Sequence, residues 1–170
     1  MCEGISAHDE RERADRAFAL NWIDSGAPLW RTAKPATPNP HLVSYFLLVD
    51  GDHCLLVDHR NAQLWLPTGG HVEPFEHPLQ TVERECPEEL GIAAHFVRKD
   101  PLFITVSDTV GHSAGHTDVS FWYVLQGDQH AALRWDAAEF YGVQWFAKND
   151  LPLHRCDPNL GRFVAKLTRP

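Results

Sequence analysis

A single α+β domain is predicted by three observations on this 170-residue chain. Short strand-like apolar segments lie on both sides of one amphipathic helix, Pro78 to Leu90. A second helix with a clear apolar stripe closes the chain. The composition is 44% apolar, enough at this length for a proper core. No apolar run approaches the roughly 20 residues needed to cross a bilayer. The first twenty residues are charged rather than apolar, unlike a secretory leader, so a cytoplasmic protein without a membrane partner is expected.

In chain order, Asp9 to Asp24 reads as a helix with Ala14, Ala17, Phe18 and Trp22 partly aligned, stopped by Gly26 and Pro28. Residues 1–35 thus form a helical extension ahead of a core domain, 36–170, and the helix offers a surface for a homodimer or another partner. Arg31 to Pro40 carries three prolines and reads as a linker. HLVSYFLLVD and HCLLVDH flank an Asp50-Gly51 turn signal and predict a β-hairpin. A strand from Leu64 to Pro67 runs into Gly69 and Gly70, read as a tight turn whose missing side chains let backbone approach a ligand.

From Pro78 to Leu90 the residues Leu79, Val82, Cys86 and Leu90 recur at spacings of three and four, the period of a helix with one buried face. Gly91 is placed to end it in the left-handed region. Strands are expected at His95 to Arg98, Leu102 to Thr109, Val119 to Gln126 and Tyr141 to Phe146. The closing helix has Asp157 as N-cap, Pro158 at its first position, and a stripe of Leu160, Phe163, Val164 and Leu167.

Charge and cysteine usage narrow the function. A formal net charge of −8 argues against a polynucleotide partner, whose backbone demands clustered Lys and Arg, but not against a small nucleotide carried with its cation. Four scattered cysteines without a C-x-x-C pair suit reduced thiols better than a disulfide framework. His112 and His116 have H-x-x-x-H spacing in a Gly-Ser loop and are read as surface polar residues. Trp65, Phe121, Trp122 and Trp145 lie in strand patterns and are read as core rather than base-stacking platforms.

The chemistry concentrates on the central helix. Glu85, Glu88 and Glu89 stand at i, i+3 and i+4, so one turn brings three carboxylates together on the face away from the apolar stripe. Like charges at that spacing oppose helix formation by a few tenths of a kcal/mol each, unless a cation sits among them. Hard divalent ions take such oxygen ligands, and Mg²⁺ in particular is shared between carboxylates and substrate phosphates. Glu83 lies outside the cluster and is assigned to solvent.

The flanking residues make the pattern specific. GHVEPFEHPLQTVERECPEELGI, Gly70 to Ile92, contains Gly70, Glu76, Arg84, Glu85, Glu88, Glu89 and Gly91 at the spacing of the Nudix box. At average residue usage, seven such positions coincide by chance on the order of 10⁻⁹ per window. The chain therefore resembles a Nudix hydrolase over roughly His41 to Leu167, the box being the specific part. The resemblance implies an α/β/α sandwich with a mixed sheet and hydrolysis of a phosphoanhydride in a nucleoside triphosphate or nucleoside diphosphate derivative, with oxidised-nucleotide sanitation as one version. It implies Mg²⁺, or Mn²⁺, held by Glu85, Glu88, Glu89 and the Gly69 carbonyl, with one glutamate also the base. Arg84 takes an orienting role that Glu76 can meet from the preceding loop. Glu139, in a loop after the box, resembles an additional catalytic carboxylate of the family, and Asn159 a base-reading asparagine.

Three positions depart from the family pattern. Pro87 inside the catalytic helix removes a hydrogen bond to the Glu83 carbonyl, at about 3 kcal/mol. A distorted turn there would displace Glu88 and Glu89 from Glu85, leaving as the alternative a non-catalytic nucleotide-binding module with a regulatory role. Phe75 stands where the family often has glycine, and Thr68 where it often has proline.

Overall fold

The computed structural model describes residues 1–33, 38–109 and 115–169. Its strands are β1 (His41–Asp50), β2 (His53–His59), β3 (Leu64–Leu66), β4 (Thr68–His71), β5 (Phe103–Asp108), β6 (Thr117–Gln126) and β7 (Phe140–Ala147). Its α-helices are α1 (Glu10–Asp24), α2 (Pro78–Leu90) and α3 (Leu160–Leu167). The strands form one sheet along the path β3-β2-β1-β6-β5, with β4 also on β1 and β7 also on β2. β1 and β6 run parallel and the other pairs antiparallel, so the sheet is mixed.

Strand periodicity divides the core between two faces. Phe46, Leu48, Leu55, Val57, Phe121 and Tyr123 pack with Val82, Cys86 and Leu90 of α2. The intervening Leu47, Leu56, Trp122 and Val124 pack with Leu160, Phe163 and Val164 of α3. The sheet is therefore sandwiched between helices, as expected. All four cysteines are free and buried. Of the four strand aromatics, Phe121 and Trp122 are fully buried and Trp65 and Trp145 partly so.

Four local expectations need correction. Gly69 and Gly70 are not a turn but part of β4, opposite Tyr45 and Ser44 of β1. A side chain at Gly69 would place Cβ 2.1 Å from the Ser44 carbonyl oxygen, so glycine is what permits this pairing. His95 to Arg98 forms only a single bridge, Phe96 to Leu125, rather than a strand. α3 is helical only from Leu160, although the Asp157 carboxylate does accept a hydrogen bond from the Asn159 amide at 2.6 Å.

The fourth correction concerns α1. Ala14, Ala17 and Phe18 are exposed, and the helix buries Glu12 and Ala19 instead. It covers the outer edge of the sheet, where β5 has unpaired N–H groups. Glu12 Oε1 accepts from Ile104 N at 3.3 Å and from Lys166 Nζ at 2.7 Å, while Oε2 accepts from His8 N at 2.6 Å. Asp15 lies by the Val106 backbone, two residues along the same edge. Asp9 caps α1 and also receives Arg162 of α3 through two hydrogen bonds, at 2.8 and 2.6 Å. Polar edge recognition holds this helix, together with Ala19, Leu20 and Trp22, which pack on the core.

Candidate active site

β1 meets β4 along its first half and β2 only at its end, so the sheet forks. An open cleft of about 980 Å³ lies there, lined among others by Gly69, Gly70, Glu85, Glu89 and Glu139. α2 enters it through a reciprocal cap, in which His77 accepts from the backbone and Gln80 returns a bond to the His77 N–H. It ends at Gly91, with φ 70° and its N–H bonded to the Pro87 carbonyl. The helix runs unbroken through Pro87, so the distortion that residue threatens does not occur. Pro87 is exposed, which keeps its ring out of the packed face.

Glu85, Glu88 and Glu89 take three different environments on one turn. Glu88 is exposed, Glu85 half-buried and Glu89 buried. Glu89 Oε2 accepts from the Gly69 N–H at 3.0 Å, which brings the α2 carboxylates against β4. Gly70 makes the approach feasible, since a Cβ there would lie 2.0 Å from Glu85 Oε1. Desolvation, and then the charge of Glu85, push Glu89 up to about 9. Desolvation also raises Glu85 against the opposing influence of Arg84. Glu139 is exposed at the rim, and its charge adds to the rise of both.

Arg84 organises the loop before the helix. Its Nε and Nη2 donate to the two Glu76 oxygens at 2.9 and 3.0 Å, and Nη1 donates to Glu85 at 2.6 Å and Glu88 at 3.4 Å. Nη2 also reaches the His71 carbonyl at 3.2 Å. Glu76 further accepts from Thr81 Oγ1 and from the Glu73 amide. One guanidinium thus ties loop, strand and helix together, and its charge is shared among three carboxylates. Phe75 in this loop is held at φ 68° and is 89% exposed, which accounts for glycine being common there.

Asn159 sits apart from the glutamates. It is fully buried, its Nδ2 donates to Ser107 Oγ at 3.1 Å, and its Oδ1 accepts from Arg162 at 2.7 Å. Its neighbours Asp157 and Pro158 face the cleft.

A second group in the cleft was not anticipated. His41, His71, His116 and Asp118 converge, with one potential ligand atom from each lying within 4.8 Å of the others. His116 is only 8% exposed, correcting its reading as a surface residue, while His112 lies outside the described residues. The signals were a histidine opening an apolar strand, a histidine beside Gly70, and H-x-D at the start of another strand. Only sheet register brings them together: His41 pairs with Asp118, and Val43 with His71.

Comparison with known proteins identifies the family and the fold. The NUDIX domain family matches residues 39–167. The CTP pyrophosphohydrolase of Escherichia coli (strain K12) is 33% identical over 114 residues, 62% of this chain and 83% of that protein. The solution structure of the E. coli ORF135 protein superposes with a TM-score of 0.58 at 26% identity, covering 76% of this chain and 92% of that one. A NUDIX-family hydrolase from Clostridium perfringens shares the fold, with a TM-score of 0.60 at 23% identity, covering 76% of this chain and 97% of its own. With a matched family spanning most of the chain and Glu85 and Glu89 of the box on one cleft, this protein belongs to the Nudix family and is a Nudix hydrolase.

Proposed function

We propose that the protein hydrolyses a phosphoanhydride bond in a nucleoside triphosphate or nucleoside diphosphate derivative, using Mg²⁺, with Mn²⁺ as a substitute. The observation that carries this reading is the charge deficit on α2. Arg84, already committed to Glu76, reaches Glu85 and Glu88, while Glu89 has no cationic partner among the described residues and is buried enough to be pushed up to about 9. Such a carboxylate needs a cation to remain ionised, and the donor set of Glu85, Glu88, Glu89 and the Gly69 carbonyl suits a hard divalent ion. A bound ion would neutralise the diphosphate, polarise phosphorus and acidify an attacking water.

The remaining work falls to the chain itself. Arg84 positions Glu85 and Glu88 and keeps the 71–76 loop against the helix. Gly70 leaves room for Glu85. A glutamate of the cluster, or Glu139 from the rim, accepts the proton of the attacking water. Asn159 acts through its neighbour, its backbone N–H orienting the Asp157 carboxylate at the cleft wall. A cytoplasmic location suits a nucleotide substrate and the four free thiols.

Substrate choice begins with cytidine nucleotides, because the E. coli relative is a CTP pyrophosphohydrolase. The test is a Mg²⁺-dependent turnover screen over canonical and oxidised nucleotides, nucleotide sugars and dinucleotides, with Glu88→Gln as control and ¹⁸O-labelled water locating the attacked phosphorus. Turnover lost in the control supports the reading. Silence across the panel from folded protein, or full activity of Glu88→Gln, overturns it.

A further inference from the structure

We propose that His41, His71, His116 and Asp118 form a second metal site, for a divalent transition-metal ion such as Zn²⁺, distinct from the glutamate cluster. Three imidazoles and one carboxylate make an N₃O donor set, which suits Zn²⁺ and its transition-metal neighbours and not Mg²⁺. His41 is fully buried, and His116 and Asp118 are each 8% exposed. Four ligands about 2.1 Å from an ion in a tetrahedron lie about 3.4 Å from one another. The four ligand atoms already lie within 4.8 Å, so small side-chain rotations complete the geometry.

Hydrogen bonds orient the lone pairs of His41 and His116 inward, while His71 Nε2 lies 3.4 Å from Arg31 Nη1, a long contact that a bound ion would replace. His41 Nδ1 lies 2.9 Å from the Pro38 carbonyl, which can only accept, so Nδ1 carries the proton and Nε2 is left as a donor to metal. The Thr109 hydroxyl donates to the His116 carbonyl, leaving its oxygen to accept from His116 Nδ1 at 3.2 Å. That again turns Nε2 inward. A backbone carbonyl or other acceptor on the far ring nitrogen is the usual support of a metal-binding histidine.

At the centre of the cluster, His41 and His116 face the Asp118 carboxylate. His41 Nε2 and Asp118 Oδ1 are 3.2 Å apart, yet neither makes a hydrogen bond among the described residues. His116 Nε2 lies 3.3 Å from the same oxygen. A lone pair facing a carboxylate at that distance is repulsive without a cation between them. The His41 ring is also 4.9 Å from both the His71 and His116 rings, so the three imidazoles pack around one point.

With four protein ligands the ion has no open position and acts as a tether. It joins the first residue of β1, the last of β4 and the start of β6. His71 follows Gly70 directly and gives its carbonyl to Arg84, so the tether bears on the strand against which the catalytic glutamates pack.

The test uses the full chain, stripped with a chelator and titrated with Co²⁺. The expected result is one equivalent showing the intense visible bands of tetrahedral Co²⁺, displaced by Zn²⁺, with Zn²⁺ raising the melting temperature. His116→Gln and Asp118→Asn lose the bands, and Glu88→Gln keeps them. If either variant does not fold, His71→Gln, on a half-exposed residue, makes the same measurement. Absence of a tetrahedral spectrum in the wild-type chain overturns the site and leaves a histidine–aspartate ion pair. So does a spectrum that survives these substitutions or that disappears in Glu88→Gln.

Discussion

Two acidic helix faces in this molecule meet opposite fates. On the α1 face, Asp9 and Glu12 are matched: Arg162 and Lys166 of α3 supply charge, and the edge of β5 supplies an N–H group. On α2, Glu85 and Glu88 share Arg84 with Glu76, and the buried Glu89 receives one backbone N–H and no cationic side chain among the described residues. The first set is closed and works as structure. The second is left short of positive charge where the cleft opens, and that deficit is what a divalent ion and a diphosphate ligand can fill.

The largest effect should come from the unmatched face. Glu88→Gln is expected to lower kcat by about 10²-fold or more, by removing a charge that the proposed Mg²⁺ site needs, with the melting temperature nearly unchanged because Glu88 is exposed. Steady-state kinetics and a thermal melt on the same preparation check both halves. A coupled loss of stability would erase the contrast between the two faces.

Glu12→Ala is the mirror experiment. It leaves Lys166, whose side chain is 10% exposed, without its partner and uncovers the Ile104 N–H, so a loss of about 3 kcal/mol is expected in urea titration. kcat per folded molecule should not change. An activity loss as large as that of Glu88→Gln would show that α1 is coupled to the chemistry.

Arg84→Ala should strike both properties, because it releases the 71–76 loop and leaves Glu76 and Glu85 facing each other. A stability loss of about 2 kcal/mol is expected together with a fall in kcat. An effect on kcat alone would make Arg84 a group acting on substrate rather than a positioning residue.

The pH dependence of the matched face is smaller. Hydrogen bonds from Arg162 hold Asp9 well below its ordinary value of 3.8, so its pairing stabilises the fold above that pH and is lost as pH falls below it. Asp9→Asn should flatten this acid limb in melts between about pH 2 and 5, by about 1 kcal/mol or less because solvent reaches the pair. Phe75→Gly should act least: relief of a left-handed backbone, worth about 1 kcal/mol, is partly offset by the added freedom of glycine in the unfolded chain.

Local pattern made much of this protein legible. The limits of α2 follow from helical periodicity and Gly91, and the identity and spacing of its glutamates require nothing beyond 3.6 residues per turn. The two-faced core follows from strand alternation. α1 was legible as a helix, but its packing was not, because its polar partners include an N–H group on a sheet edge far along the chain. Gly69 and Gly70 read as a turn for a related reason: the close approach of Ser44 across the sheet leaves no local signature.

The sequence by itself determined α2, its acidic cluster and the family, because those depend on contacts within one turn or on a contiguous motif. Only the tertiary structure decided that α2 stays helical through Pro87, that Glu89 rather than Glu88 is the buried carboxylate, that Asn159 is spent inside the fold, and that three histidines and an aspartate meet. Each of these depends on register between strands or on exclusion of water, and both arise only when segments distant in sequence are packed together.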